Sequence, residues 1–301
     1  MKRLLLLLMS IAEICSFNMS AVGQTIDSMS FLNVTTIAKI NQGNSYITFP
    51  IDIGNIEPLW FEGNINPDFY IRRSKNSRLI GVLTPQIIIR MYREESFPVR
   101  TPSYIPQITS YYMFSGKKRQ FVQSAFFKIA HHSNGQENSF YLENGEPNLL
   151  SGDFATNFLE VGLIKTRFIQ RYNAHSFYKS SVEVHPIQWQ ADELQGNYSP
   201  VRWHNSFSIF HLTENSAANE KKKAKISMKA DVTWMFGKTG DWENFSSNRL
   251  NLSFTFYYHP SFFEDIGFFA QLYHGMDYYN MYFNHQLDII RFGFMTDKLR
   301  F

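Results

Sequence analysis

The sequence predicts an all-β protein, a twelve-stranded antiparallel transmembrane β-barrel. Three observations predict it. Aromatic residues make up 17% of the 301 residues while charged residues make up only 18%, against about 25% charged in soluble domains. The chain opens like a secretory leader, and beyond that leader no run approaches the ~20 apolar residues of a membrane helix. The remainder of the chain is a succession of short segments in which apolar and polar residues alternate, the pattern of strands with one greasy face.

Met1-Lys2-Arg3 supplies a basic start, Leu4 to Met9 an apolar run, and Ala21-Val22-Gly23 a small-residue cleavage site before Gln24. Residues 1–23 are therefore expected to be a signal peptide. Cys15 is a poor lipoprotein site, because Glu13 and Ile14 precede it where small residues are wanted. Cleavage removes Lys2, Arg3 and Glu13 and leaves a balance of +2. That charge is too near neutral to suggest nucleic acid as a partner. It also removes Cys15, the only cysteine, so the mature chain has no disulfide framework. Residues 24–56 are expected to form a periplasmic N-terminal segment that packs near the barrel mouth or plugs it, and residues 57–301 the barrel domain.

Two strands are very clear. Ile226, Met228, Ala230, Val232, Trp234 and Phe236 alternate with Ser227, Lys229, Asp231 and Thr233. Leu250, Leu252, Phe254, Phe256 and Tyr258 alternate with Asn251, Ser253, Thr255 and Tyr257. Ten further candidates surround Trp60, Tyr70, Ile87, Ile108, Phe127, Leu159, Val182, Phe207, Phe269 and Phe292. The total is even, as bacterial barrels prefer; a secreted β-sandwich is the alternative, since it would also alternate. The chain ends in Phe301, which resembles the terminal aromatic of outer-membrane barrels. Gly237 to Asn248 and Asp277 to Gln286 read as outer loops, and His259-Pro260-Ser261 as a periplasmic turn. Lys221-Lys222-Lys223 falls on the periplasmic side and reads as a solvated turn. The five tryptophans read mostly as interface-belt anchors.

Chemistry enters at Phe121 to Ser133. Its odd positions Phe121, Ala125, Phe127 and Ile129 are apolar, so His131 and Ser133 share a lipid-facing surface two residues apart. His132 points inward. With both termini periplasmic this strand is the fifth and runs outward, which puts the pair at the extracellular rim. The sixth strand starts near Asn157, on the same parity as Leu159, Val161 and Leu163. A serine nucleophile needs a base, and the base needs an acceptor on its other nitrogen. Asn157 can supply that acceptor. His274, Asp277 and His285 belong to the last outer loop and read as rim residues.

His131-x-Ser133-Asn134-Gly135 resembles the active-site motif of outer membrane phospholipase A. Glu94-Glu95-Ser96-Phe97-Pro98 with Arg100, Tyr104-Ile105-Pro106-Gln107, Phe269 to Gly275 and Tyr282 to Gln286 are similar to further segments of that family, over roughly residues 57–301. The resemblance implies an outer-membrane enzyme that hydrolyses acyl esters of glycerophospholipids (A1/A2 and lysophospholipase type). It implies dependence on calcium and on a homodimer formed through flat barrel faces. His131 would be the general base, Ser133 the nucleophile and Asn157 the orienting amide. For calcium, it points to Gln136 through its backbone carbonyl, to Asp153, and to Ser96 reaching across the dimer. The loop from Gly135 to Asn157 is longer than the family pattern, so Ser151, Glu143 and Glu146 are rival ligands. Asp192 and Glu193 lie where a second calcium site would be sought.

Two other readings compete. A lipid A deacylase also uses a His-x-Ser-Asn motif on a lipid-facing strand, with a glutamate as third member; Glu143, Glu146 and Glu160 are nominal candidates. A non-enzymatic porin or adhesin-like barrel would, as a pore, need many interior charges and a constriction loop, which the sequence does not advertise.

Overall fold

Alternation becomes a two-faced sheet. In Leu250–Tyr258, Leu252, Phe254, Phe256 and Tyr258 are exposed while Thr255 is buried. The same parity runs through Phe121–Ser133, where Phe127 and Ile129 are exposed and Ser124, Phe126 and His132 are buried. In a β-hairpin meander this places every apolar odd or even set on one outer surface.

The computed structural model describes residues 32–48, 53–74, 77–96, 98–114, 121–213, 223–299 and 301. The expected signal segment 1–23 lies outside them. The strands are β1 (Tyr46–Thr48), β2 (Leu59–Ile65), β3 (Phe69–Ile71), β4 (Leu79–Tyr92), β5 (Ser103–Met113), β6 (Phe121–Ser133) and β7 (Ala155–Ile169). They continue with β8 (Ala174–Val184), β9 (Val201–Leu212), β10 (Ala224–Phe236), β11 (Leu250–Tyr258), β12 (Ile266–Met276) and β13 (Gln286–Thr296). Neighbours pair antiparallel, and β1 pairs with β13 to close the ring. β2 and β3 lie end to end along β4, from Leu59 opposite Tyr92 to Ile71 opposite Gly81, and form one stave. The protein is thus a closed twelve-stranded barrel. Among the described residues no helix is long and apolar enough to cross a membrane.

Two details of the strand reading change. The segments around Trp60 and Tyr70 share one stave, broken at Pro67, which has no N–H for the ladder. The sheet also takes in residues ahead of position 57. Tyr46–Thr48 pairs with Met295–Gly293, and Ile53 bridges Ile290. Three residues are too few to display period two. The two differences cancel, so β6 remains the fifth stave and ends at the rim that carries the long loops.

The opposite mouth is filled. Helix α1 (Val34–Gln42) is capped by Asn33, whose Oδ1 accepts from Thr36 N at 2.9 Å. Its Val34, Ile37 and Ala38 pack against Ile80, Tyr111, Phe177 and Leu212 of the barrel wall. Asn41 Nδ2 donates to Tyr111 Oη at 2.7 Å. Phe301 does not extend a lipid-facing strand. β13 ends at Thr296, and the Phe301 ring turns in to stack on His175 at 5.1 Å within the same cluster. Lys223 is no solvated turn lysine either: its Nζ donates to the carbonyls of Pro260 and Phe263 and pairs with Asp297 at 3.0 Å. Residues 221 and 222 lie outside the described set.

Charges do line the lumen, contrary to the sequence reading, but they are matched. Arg90 pairs with Glu62 (2.9 Å) and with Asp277 (2.7 and 2.8 Å), and Arg291 pairs with Glu62 (2.7 Å). Glu160 takes Lys128 and Lys179, and Glu183 takes His185 and Arg202. Buried charges persist only when paired, and this lumen is packed with such pairs. Asp277 is accordingly a buried lumen residue and not an exposed rim residue.

Candidate active site

The register of β6 and β7 sets His131 directly opposite Asn157 and Ser133 opposite Ala155. On the other side Tyr104 of β5 faces Ser133. All point to the outer surface, above the exposed Phe127, Ile129, Val161 and Leu163. His131 Nδ1 and Asn157 Oδ1 are 2.8 Å apart. The orientation of the Asn157 amide is set by its other end, because Nδ2 donates to the Trp189 carbonyl at 3.0 Å. A carbonyl oxygen can only accept, so Nδ1 carries the proton and Nε2 is left with its lone pair. Ser133 lies two residues on along the same face of that strand.

The loop after β6 is locked at its base by one side chain. Asn134 is 1% exposed. Its Nδ2 donates to the Gly152 carbonyl (2.7 Å), and its Oδ1 accepts from Phe154 N (3.1 Å) and Gln136 N (3.2 Å). The last is an Asx-turn. Asn134 N donates in turn to the Phe154 carbonyl at 3.1 Å. Gly135 adopts φ +67°, and a Cβ there would stand 3.4 Å from Tyr104 Cε2. Only glycine takes that conformation without strain. Among the described residues the Gly135 N–H has no protein acceptor. Asn134 and Gly135 entered the sequence reading only as part of the His131-x-Ser133-Asn134-Gly135 motif, and their role in joining residues 134–136 to 152–154 was not legible. The Trp189 carbonyl left no signal, because any residue supplies one.

The expected metal ligands are placed unevenly. Asn138 bridges Gly152, and Asp153 N donates to the Asn138 carbonyl at 3.0 Å, so Gln136 and Asp153 stand on facing arms of the loop base. Burial raises the Asp153 carboxyl above its ordinary range, and the nearby charge of Glu193 adds to the rise. Glu193, expected near a second site, therefore belongs to the neighbourhood of Asp153. Asp192 accepts from Gln195. Glu143 and Glu146 are at the hairpin tip, beyond the Tyr141–Pro147 bridge, and Ser151 Oγ accepts from Asn148. Ser96 is exposed in the loop between β4 and β5. Among the described residues no group of three or more His, Cys, Asp or Glu side chains forms a metal cluster. Oxygen donors such as those of Gln136, Asp153 and Glu193 are of the type that suits a hard cation.

A closed twelve-stave barrel with an apolar outer belt and a polar, packed lumen defines an outer-membrane-type β-barrel. Its fold is that of outer membrane phospholipase A. The structure of the Escherichia coli protein matches at TM-score 0.56 and 11% identity, over 84% of this chain and 92% of that one. An E. coli active-site mutant with asparagine changed to alanine matches at 0.55 and 11% identity, covering 84% and 89%. The Salmonella typhi outer membrane phospholipase dimer with bound calcium matches at 0.55 and 11% identity, covering 84% and 90%. No family model and no curated protein matches the chain by sequence.

Proposed function

We propose that the protein is a calcium-dependent outer-membrane phospholipase that hydrolyses acyl esters of glycerophospholipids. The observation that carries this reading is the 2.8 Å contact of His131 with Asn157 on the lipid-facing wall, beside Ser133. Ser133 Oγ attacks the ester carbonyl while His131 Nε2 takes its proton. The developing oxyanion faces the uncommitted Gly135 N–H. Collapse expels the alcohol, which takes the proton back from His131, and water then releases the acyl chain by the same route. Asn157 keeps the imidazole in one tautomer and direction.

Asp153 and the Gln136 carbonyl, with Glu193 nearby, are the groups that would hold calcium, and Ser96 of a second copy would complete the set. A cation bound there offsets charge developing on the ester oxygen. Support for calcium and for a homodimer comes from the Salmonella typhi structure and from the oxygen-rich loop base. In a bacterial outer membrane the loop-bearing rim would face outward, with the triad at its edge.

The lipid A deacylase reading loses its glutamates. Glu160 is buried in the lumen between Lys128 and Lys179, on the face opposite His131. Glu143 and Glu146 are at the loop tip. The paired, filled lumen speaks against a pore. The test is covalent labelling of Ser133 by a sulfonyl fluoride, with phospholipid hydrolysis measured in calcium and in chelator. Calcium-dependent release of fatty acid, abolished by labelling, supports the reading. An unlabelled Ser133 and no hydrolysis refute it.

A further inference from the structure

The catalytic rim does not account for the four long loops above the lumen. They line a half-open cavity of about 310 Å³, within the lower part of the range of small-ligand sites, roughly 300–1,000 Å³. The long loop after β6 gives Phe140 and Tyr141 to its wall, and the loop after β8 gives Asn197. The loop after β10 gives Thr239 and Trp242, and the loop after β12 gives Asn284. Among the described residues no charged side chain lines it.

Its walls are preformed. Arg249, 2% exposed, fastens the loop after β10 by donating to the carbonyls of Gly237 and Trp242, both at 2.8 Å. Phe140 belongs to a buried cluster with Phe154, Tyr198 and Phe283. Against these fixed walls one polar group stands out. Thr239 is 2% exposed, yet among the described residues its Oγ1 has no hydrogen-bond partner. Buried hydroxyls are satisfied in the great majority of cases, so a ligand group is the natural complement. Asn197 Nδ2 is used by the Glu193 carbonyl, which leaves its Oδ1 as an acceptor.

We propose that this cavity binds a neutral saccharide unit. The aromatic rings of Tyr141 and Trp242 lie in its wall, and aromatic rings attract the weakly positive C–H faces of a sugar. Threonine hydroxyl and asparagine amides both donate and accept, as sugar hydroxyls do. The lack of a charged wall residue leaves phosphates, carboxylates and cations without a counter-charge. The sugar is either free in solution or the headgroup of a glycolipid.

The test uses the full-length protein in a zwitterionic detergent, since sugar detergents would compete. Lactose, cellobiose and N-acetylglucosamine are titrated by calorimetry, and the protein is mixed separately with vesicles carrying a lactosyl lipid. Saturable one-to-one binding of any free sugar supports the site and a soluble source; binding only to the lactosyl vesicles supports the site and a glycolipid source. Thr239→Val and Trp242→Phe should each weaken binding about tenfold or more, while Trp60→Phe, outside the cavity, leaves it unchanged. Heat-modifiable gel mobility verifies that each variant is folded. No saturable binding in either arm overturns the proposal, as does binding that Thr239→Val and Trp242→Phe leave intact. Hexanol is the apolar probe; if it binds in place of every sugar, the proposal is overturned.

Discussion

His131 and Asn157 occupy directly opposed positions on adjacent strands, and their side chains meet at 2.8 Å on the outer wall of the barrel. A rigid ladder thus fixes the distance between the proposed base and its orienting group, and no loop has to close to bring them together.

Ser133→Ala and His131→Ala should each reduce ester hydrolysis by several orders of magnitude, because members of a triad act as a unit. Both side chains face outward and half-buried, so folding should be untouched. Turnover of a short-chain phospholipid and gel-shift folding assays check this. Retained activity in either folded variant would remove the mechanism.

Asn157→Ala should be milder. It loses geometry and one hydrogen bond while the reacting groups remain. Residual activity should exceed that of Ser133→Ala by at least about tenfold, or roughly 1.4 kcal/mol of barrier. Equal, total loss in the two variants would show that Asn157 does more than orient.

Asn134→Ala should damage both stability and rate. Two hydrogen bonds of one buried amide, to the Gly152 carbonyl and from Phe154 N, tie the two arms of the loop base together, and a third closes the turn at Gln136. Each buried group left unmet costs about 1–3 kcal/mol. The thermal unfolding midpoint and turnover should fall together. Wild-type turnover in this variant would mean that the loop base does not position Ser133 or Gly135.

Asp153→Asn should raise the calcium needed for half-maximal activity, because one anionic oxygen is lost. Glu193→Gln should shift it in the same direction. A site shared between two copies couples metal affinity to association, so calcium should move the protein from monomer to dimer in detergent, and Ser96→Ala should weaken both dimer and activity. Cross-linking and activity titrations decide it. Full turnover of the monomer in excess chelator would exclude the calcium-gated dimer.

Asp277→Asn should destabilise the barrel with little direct effect on chemistry. It removes the carboxylate that clamps both ends of the buried Arg90 guanidinium. Breaking a buried pair of this kind costs about 3–5 kcal/mol. Urea unfolding in detergent measures it, and an unchanged midpoint would show that water reaches Arg90.

The barrel was legible because period two is a local property. The alternation of Leu252, Phe254 and Phe256 with Ser253 and Thr255 states which face meets lipid, whatever the strand's neighbours are. The same rule put His131, Ser133 and Asn157 on one surface before any contact was known. It failed where strands were too short or were broken inside, at Tyr46–Thr48 and at Pro67. It failed again for Phe301, since a terminal aromatic reads the same whether it extends a strand or folds inward.

By itself, then, the amino-acid order determined the class of fold and the lipid-facing parity, which depend on neighbours one or two positions apart; with a resemblance to outer membrane phospholipase A, that parity nominated the residues of the proposed triad. The tertiary structure alone decided the helix α1 plug, the pairing of Arg90 with Glu62 and Asp277, the Asn134 lock and the loop cavity around Thr239. Those depend on which distant segments closure of the ring brings together. Asp277 and Arg90 are 187 positions apart in the chain, and no local periodicity carries information over that separation.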